Sequence, residues 1–300
     1  MKYKIPLFFL IIISLISFSR IYSTSMVYNF RIAQITKQFQ FDQEEDKHST
    51  IIALFFDQIR KKYDGEYQNF LGGFGSLIYN FNDYYIRMDT AFSHITDKQK
   101  DILTFPDTET DDILFSFGYN FLKREKNLMT FSGLLGVPTH EIYRLQHTDF
   151  GYGQTSLGLQ LDGSHSYTEN DKNIFLYGAR YIGFIPRTAF DIHENRYKFT
   201  IGNMGDLFIA DKHNWSNQGI EYGYTAKFRF GAKVYPKFDD IIKKTNYIRS
   251  NFYIVYKYKF YLGDTSNKLL FYFSYGFDHI PKIYGNKYIL TFWASWNVSF

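Results

Sequence analysis

Ile220-Glu-Tyr-Gly-Tyr-Thr-Ala-Lys-Phe-Arg-Phe-Gly-Ala-Lys-Val234 alternates without a break. Ile220, Tyr222, Tyr224, Ala226, Phe228, Phe230, Ala232 and Val234 are apolar or aromatic. Glu221, Gly223, Thr225, Lys227, Arg229, Gly231 and Lys233 between them are polar, small or charged. Successive residues of a strand point to opposite faces, so a period of two marks a β-strand whose faces meet different solvents. The pattern continues toward the C-terminus. Phe252, Ile254, Tyr256, Tyr258, Phe260 and Leu262 share one phase, with Lys257 and Lys259 in the other. Leu269, Phe271, Phe273, Tyr275 and Phe277 stand against Ser274, Gly276 and Asp278. The last run is Tyr288, Leu290, Phe292, Ala294, Trp296, Val298 and Phe300, against Thr291, Ser295, Asn297 and Ser299.

These runs are longer than the 5–6 residues of an average soluble strand and reach the roughly 9–11 that a tilted strand needs to cross a bilayer. A soluble secreted β-sandwich also buries one face of each strand, so alternation alone does not separate the two folds. Composition does. The 300 residues include 33 Phe and 27 Tyr but only 6 Pro. Such aromatic density suits strands. Mean hydropathy is −0.30, which excludes a bundle of membrane helices. There is no cysteine, hence no disulfide, cysteine-held metal or thiol chemistry. Long strands, aromatic stripes and an export segment together point to an all-β, antiparallel transmembrane β-barrel.

The export segment is the N-terminus. Lys2 and Lys4 precede an almost unbroken apolar stretch from Ile5 to Phe18, and small residues follow at Ser19 and Ser23. This is the three-part pattern of a signal peptide, and the stretch is short of the ~20 residues a spanning helix requires. The expected division is therefore a signal peptide over 1–23 and a barrel domain over 24–300. Removing 1–23 takes away Lys2, Lys4 and Arg20, so the formal charge falls from +4 to +1. The basic balance thus resides mostly in the leader and gives no reason to expect a nucleic-acid partner.

Counting back from the C-terminus places strands near 287–300, 268–279, 248–263, 220–235, 196–210, 173–185, 152–163, 127–138, 112–122, 84–96, 67–81 and 26–36. The count is about twelve and admits ten or fourteen. Short connections at Asn82-Asp83, Lys123 to Lys126 and Gly263 to Asn267 fall on one side, as periplasmic turns do. Residues 37–66, 97–111, 139–151, 186–195 and 236–247 form the longer connections on the other. The stretch 211–219 breaks this order, being long for a periplasmic turn. Within 37–66 the acidic run Asp42 to Asp46 reads as a solvated loop, and the segment from Ser49 reads as a short amphipathic helix or an extra strand.

In a barrel the polar phase of each strand faces the lumen. The candidate lining comprises Arg87, Asp89, Arg180, Glu221, Lys227, Arg229, Lys233, Lys257, Lys259 and Asp278. The five positive charges from Lys227 to Lys259 on two neighbouring strands repel unless an anion or facing carboxylates offset them. One reading is an anion-attracting pore wall; the other is an internal salt-bridge network with Asp89, Asp162, Glu221 and Asp278. No cofactor, metal site or catalytic residue is implied. The eight histidines are scattered, no HExxH appears, and neither Ser93 nor Ser156 sits in a Gly-x-Ser-x-Gly elbow that would make a lipid hydrolase with His94.

The C-terminal run Tyr288, Leu290, Phe292, Trp296, Val298, Phe300 resembles the signal by which bacterial outer-membrane barrels are recognised by the barrel-assembly machinery. A second resemblance covers about a quarter of the chain. Thr110-Asp-Asp-Ile-Leu-Phe-Ser-Phe-Gly-Tyr119, Gly133-Leu-Leu-Gly-Val-Pro-Thr139, Gly151-Tyr-Gly-Gln-Thr-Ser-Leu-Gly-Leu159 and Tyr177 to Gly183 are similar to the outer-membrane barrel family linked to the meta-cleavage pathway of phenol degradation. That resemblance implies a channel or transporter for small hydrophobic compounds, from which the basic lining departs. The expected function is a channel for small solutes in the outer membrane, in contact with its lipid. A barrel lipid hydrolase and a filled barrel presenting its loops to a partner are the alternatives.

Overall fold

A computed structural model describes residues 48–60, 67–95, 108–110, 112–124, 126–139, 153–168, 172–190, 196–200, 202–230, 233–235, 247–263, 265–279 and 287–299. Its strands are β1 His48–Arg60, β2 Tyr67–Phe81, β3 Tyr84–Ile95, β4 Thr108–Thr110, β5 Ile113–Arg124, β6 Asn127–Val137, β7 Ser156–Ser166 and β8 Asn173–Phe184. They continue as β9 Arg187–Phe190, β10 Arg196–Thr200, β11 Asn203–Trp215, β12 Gln218–Phe230, β13 Lys233–Tyr235, β14 Tyr247–Leu262, β15 Thr265–His279 and β16 Lys287–Ser299.

The long strands pair antiparallel, each with its neighbour in the chain, from β1–β2 through β3, β5, β6, β7, β8, β11, β12, β14 and β15 to β16. β16 then pairs with β1, from Ser49↔Ser299 to Ile59↔Ile289. The sheet therefore closes on itself and leaves no long edge, as a barrel in lipid requires. Short β4 continues beside β3. β9, β10 and β13 form a separate small sheet that ties the β8–β11 connection to the β12–β14 connection.

The outer face is apolar because its neighbours are lipid tails. Leu157, Leu159, Leu207, Ile209, Phe252 and Tyr222 are all half-exposed, while Gln160, Asp162, Asp206, Phe208 and Tyr253 on the opposite phase are buried. Toward the tight-turn end the outward side chains become aromatic. Phe81, Tyr84 and Tyr119 stack in sequence across three strands, with centroids 5.6 and 4.8 Å apart, and Tyr79 joins them. Such rings hold the level of the lipid headgroups.

The connections sort as expected, with one improvement. Asn82 and Ser216 take positive φ (54° and 47°), as does Gly263. They turn the chain in two-residue hairpins of the kind that match strand twist. Ser216-Asn217 resolves the exception at 211–219. β11 runs on to Trp215, so this end of the barrel also has a tight turn there. One open alternative is decided and one expectation is corrected. Residues from Ser49 form the extra strand and not the helix: they are β1, one of the wall strands, because pairing on both sides satisfies its backbone. The expected strand 220–235 ends at Phe230. Lys233 lies on β13 opposite Thr200 in the small sheet and not on a strand of the barrel wall. The expected strand 26–36, the leader 1–23 and Phe300 lie outside the described residues.

Candidate functional site

The inner wall is where the charged side chains collect. Arg87 and Asp89 are two apart on β3 and therefore share its inward phase, both almost fully buried. Arg87 Nε donates to both carboxylate oxygens of Asp89 at 2.7 Å. Arg180 and Asp206 are register partners on β8 and β11. Arg180 Nη2 and Nε donate to Asp206 Oδ2 at 2.8 and 3.0 Å. These are charge-assisted pairs in a site shielded from water, where breaking one partner is costly.

Around the second pair the registers assemble a belt. Gln160 on β7 stands beside Arg180, Asp206 beside Lys227, Lys227 beside Arg249, and Arg249 beside Asp278. Gln160 Nε2 donates to Asp162 Oδ1 at 2.9 Å one step along β7. Bases and acids thus share neighbouring positions across the strands from β7 to β15. Of the expected lining residues, Arg87, Asp89 and Arg180 are deeply buried on the inward phase, Lys227 and Arg229 are half-buried, and Asp278 occupies a belt register position.

Nearer the tight turns the balance changes. Lys212 on β11 faces Glu221 on β12, both buried. Glu221 Oε1 accepts from Tyr253 Oη at 2.9 Å. Lys257 lies beside Gly219, and Lys259 stands directly across from Lys268. Lys268 is 1% exposed. Four lysines and one glutamate therefore occupy this end of β11–β15. Lys257, Lys259 and Glu221 were expected in the lining; Lys212, Lys268 and Asp206 were not. Lys212 fell in the stretch read as a loop. Asp206 was hidden because its own phase carries Met204 and Phe208 while the other carries Leu207 and Ile209. The inner face is accordingly not the purely polar phase expected: Leu114, Leu134, Ile182, Met204, Phe208 and Leu270 are buried on it.

Glycines let inner aromatic rings lie flat along the wall. A Cβ on Gly118 would overlap the Tyr85 ring, one on Gly178 the Phe208 ring, and one on Gly223 would meet Tyr253 Oη. Tyr85 reaches over Gly118 to Ser132 Oγ at 2.7 Å, just as Tyr253 reaches over Gly223 to Glu221. This is the positional meaning of glycine inside these strands.

The strand order does not bring Ser156 and His94, one Ser–His pair of a lipid hydrolase, together. Ser156 is buried at the start of β7, whereas His94 lies on β3, far from it in the ring. Among the described residues no three His, Asp or Glu side chains converge as metal ligands.

An all-β barrel with an apolar exterior and a charged interior is the architecture of outer-membrane barrels, and one solved structure supports that fold. An outer membrane channel from Pseudomonas putida F1, the COG4313 channel, superposes with a TM-score of 0.61 over 86% of this chain and 99% of its own, at 9% identity. The NanC porin gives 0.46 over 84% and 98%, at 10% identity. The toluene transporter TbuX of Ralstonia pickettii gives 0.43 over 85% and 90%, also at 10%. No family model matches the chain, and no curated protein is similar to it in sequence. The first of these structures fixes the fold as that of an outer-membrane β-barrel.

Proposed function

We propose that the protein is an outer-membrane channel for small solutes whose inner wall favours anions. The carrying observation is the excess of base over acid on the inner wall among the described residues, above all Lys212, Lys257, Lys259 and Lys268 against Glu221. Lysines concentrated at one mouth of a low-dielectric passage raise the local concentration of anions there. That the COG4313 protein is an outer membrane channel supports the transport reading. Gln160, Asp162, Arg180 and Asp206 of the belt are almost wholly shielded, so the passage is narrow beside them and its conductance small.

In this reading residues 1–23 direct export and are removed. The C-terminal run of Tyr288, Leu290, Phe292, Trp296, Val298 and Phe300 is the segment that the barrel-assembly machinery binds. Deleting Phe300 then lowers the yield of assembled barrel without changing export.

The test is the single-channel current of purified protein in a planar bilayer under a salt gradient. Discrete steps are expected, with a reversal potential on the anion side that moves toward zero in a Lys257→Gln, Lys259→Gln, Lys268→Gln variant. Silence from folded protein would overturn the channel. It would favour a filled barrel presenting its loops, the reading to which the shielding of the belt also lends itself.

A further inference from the structure

Asp211 is a carboxylate on the wrong side of the wall. On β11 the inward phase is Met204, Asp206, Phe208, Ala210 and Lys212, all buried, and the outward phase is Leu207, Ile209 and then Asp211. The residue sits near the Ser216-Asn217 turn, in the aromatic girdle with Trp215 and Tyr222. An acid in a face that meets lipid is costly unless something offsets it.

Three groups converge on it. Tyr167 Oη, from the turn after β7, donates to Oδ1 at 2.8 Å. Tyr222 Oη, from β12, donates to Oδ2 at 3.2 Å. His213 Nε2 lies 3.3 Å from Oδ2, and its Nδ1 lies 2.7 Å from Asn173 Oδ1. The imidazole also stacks on Tyr222 at 5.6 Å. Among the described residues this imidazole is the one basic group within 4 Å of the carboxylate. The hydrogen bond to Asp211 pushes the Tyr167 phenol up to about 12, so the phenol remains a donor. A carboxylate has about four acceptor positions, and the two phenols use two of them.

We propose that Asp211, Tyr167 and Tyr222 form a site for the primary ammonium headgroup of a phosphatidylethanolamine-type phospholipid. The inference rests on the outer wall facing lipid. A headgroup in the leaflet at the tight-turn end stands at this depth by necessity. Its ammonium can donate to the free positions of Asp211 and lie over the tyrosine rings, which attract cations. Its phosphate remains toward water. The outward orientation, the depth and the lack of a Lys or Arg partner among the described residues each fit such a ligand.

The experiment is native mass spectrometry of the full barrel in detergent with equal amounts of phosphatidylethanolamine, phosphatidylglycerol and phosphatidylcholine. The wild type should retain phosphatidylethanolamine several-fold over the others. Asp211→Asn should abolish that preference, and Tyr167→Phe and Tyr222→Phe should reduce it. Equal retention of the three lipids, or a preference that survives in Asp211→Asn, overturns the site. Phosphatidylcholine held as well as phosphatidylethanolamine overturns the primary-ammonium assignment, because a quaternary nitrogen has no N–H to donate. Each variant is first checked for a compact band on an unheated gel. A wild type that never gives this band and never inserts into vesicles refutes the barrel reading itself and the site with it.

Discussion

The belt from Gln160 to Asp278 and the lysine end of the same wall are built from the same kind of strand, yet their balance of charge differs. In the belt, register sets Arg180 beside Asp206 and Arg249 beside Asp278. Eight residues further along β14, it sets Lys257 beside Gly219, and two beyond that Lys259 faces Lys268. Cross-strand neighbours are the unit of sheet energetics, so the same charge stabilises in one place and repels in the other. Alternation tells which side chains face inward. Only register tells which of them meet.

The largest effect expected from this contrast lies in the belt. Asp206→Ala strands the buried Arg180 and should cost about 3–5 kcal/mol, read as a drop in the urea midpoint of the folded band. The double change Arg180→Met with Asp206→Leu should recover most of it, since an apolar pair leaves no charge unsatisfied. A single variant as stable as the wild type would break the contrast at its strong end.

The lysine end should respond in the other direction. Lys259→Glu places an acid across from Lys268 and should raise the midpoint by roughly 0.2–1 kcal/mol, the range of a cross-strand opposite-charge pair. A smaller effect sharpens this. At about 1 M salt the screening length is near 3 Å, so the gain of Lys259→Glu should shrink where the half-exposed Lys259 meets solvent. The loss in Asp206→Ala, which comes from burial, should persist in salt.

The smallest effect belongs to the outer wall, where a single acid is held by two phenols beside one imidazole. Tyr167 is held about 12 in the folded barrel against an ordinary 10, so its neutral form is the one favoured by folding. Its contribution is complete below pH 10 and is lost as pH rises through about 12. Tyr167→Phe should reduce that alkaline slope of stability while leaving the profile below pH 10 unchanged; a slope left undiminished in the variant would assign it to another group.

Much of this architecture was legible in the sequence. Wherever one phase was aromatic and the other polar, as in β12, β14 and β15, strand, face and approximate limits followed from the chain itself. The failures share a cause. In β1 the run Ile51-Ile-Ala-Leu-Phe-Phe56 is apolar on both phases, so periodicity could not separate strand from helix. Around Asp206 both phases are apolar as well, because the inner face there packs Met204 and Phe208 beneath the ion pair. At 211–215 the polar residues of an interfacial site imitated a loop. Lys233 was misplaced because alternation runs on past Phe230, while the chain leaves the barrel there for the small sheet. Lys257 and Lys259 were legible as a basic pair, but their relation to Lys268 lies in the pairing of two strands, which no single stretch records.

The seam between β1 and β16 carries a kinetic consequence. Every other junction of the ring joins strands that follow one another along the chain, whereas Ser49↔Ser299 joins residues about 250 positions apart. Loop-closure entropy grows with separation, and non-local pairing slows folding. The sheet should therefore grow by successive hairpins, with the first and last strands meeting in the final and slowest step. Opening under force or denaturant should begin at that same junction, so amide exchange in β1 and β16 should outpace exchange in β7 and β8.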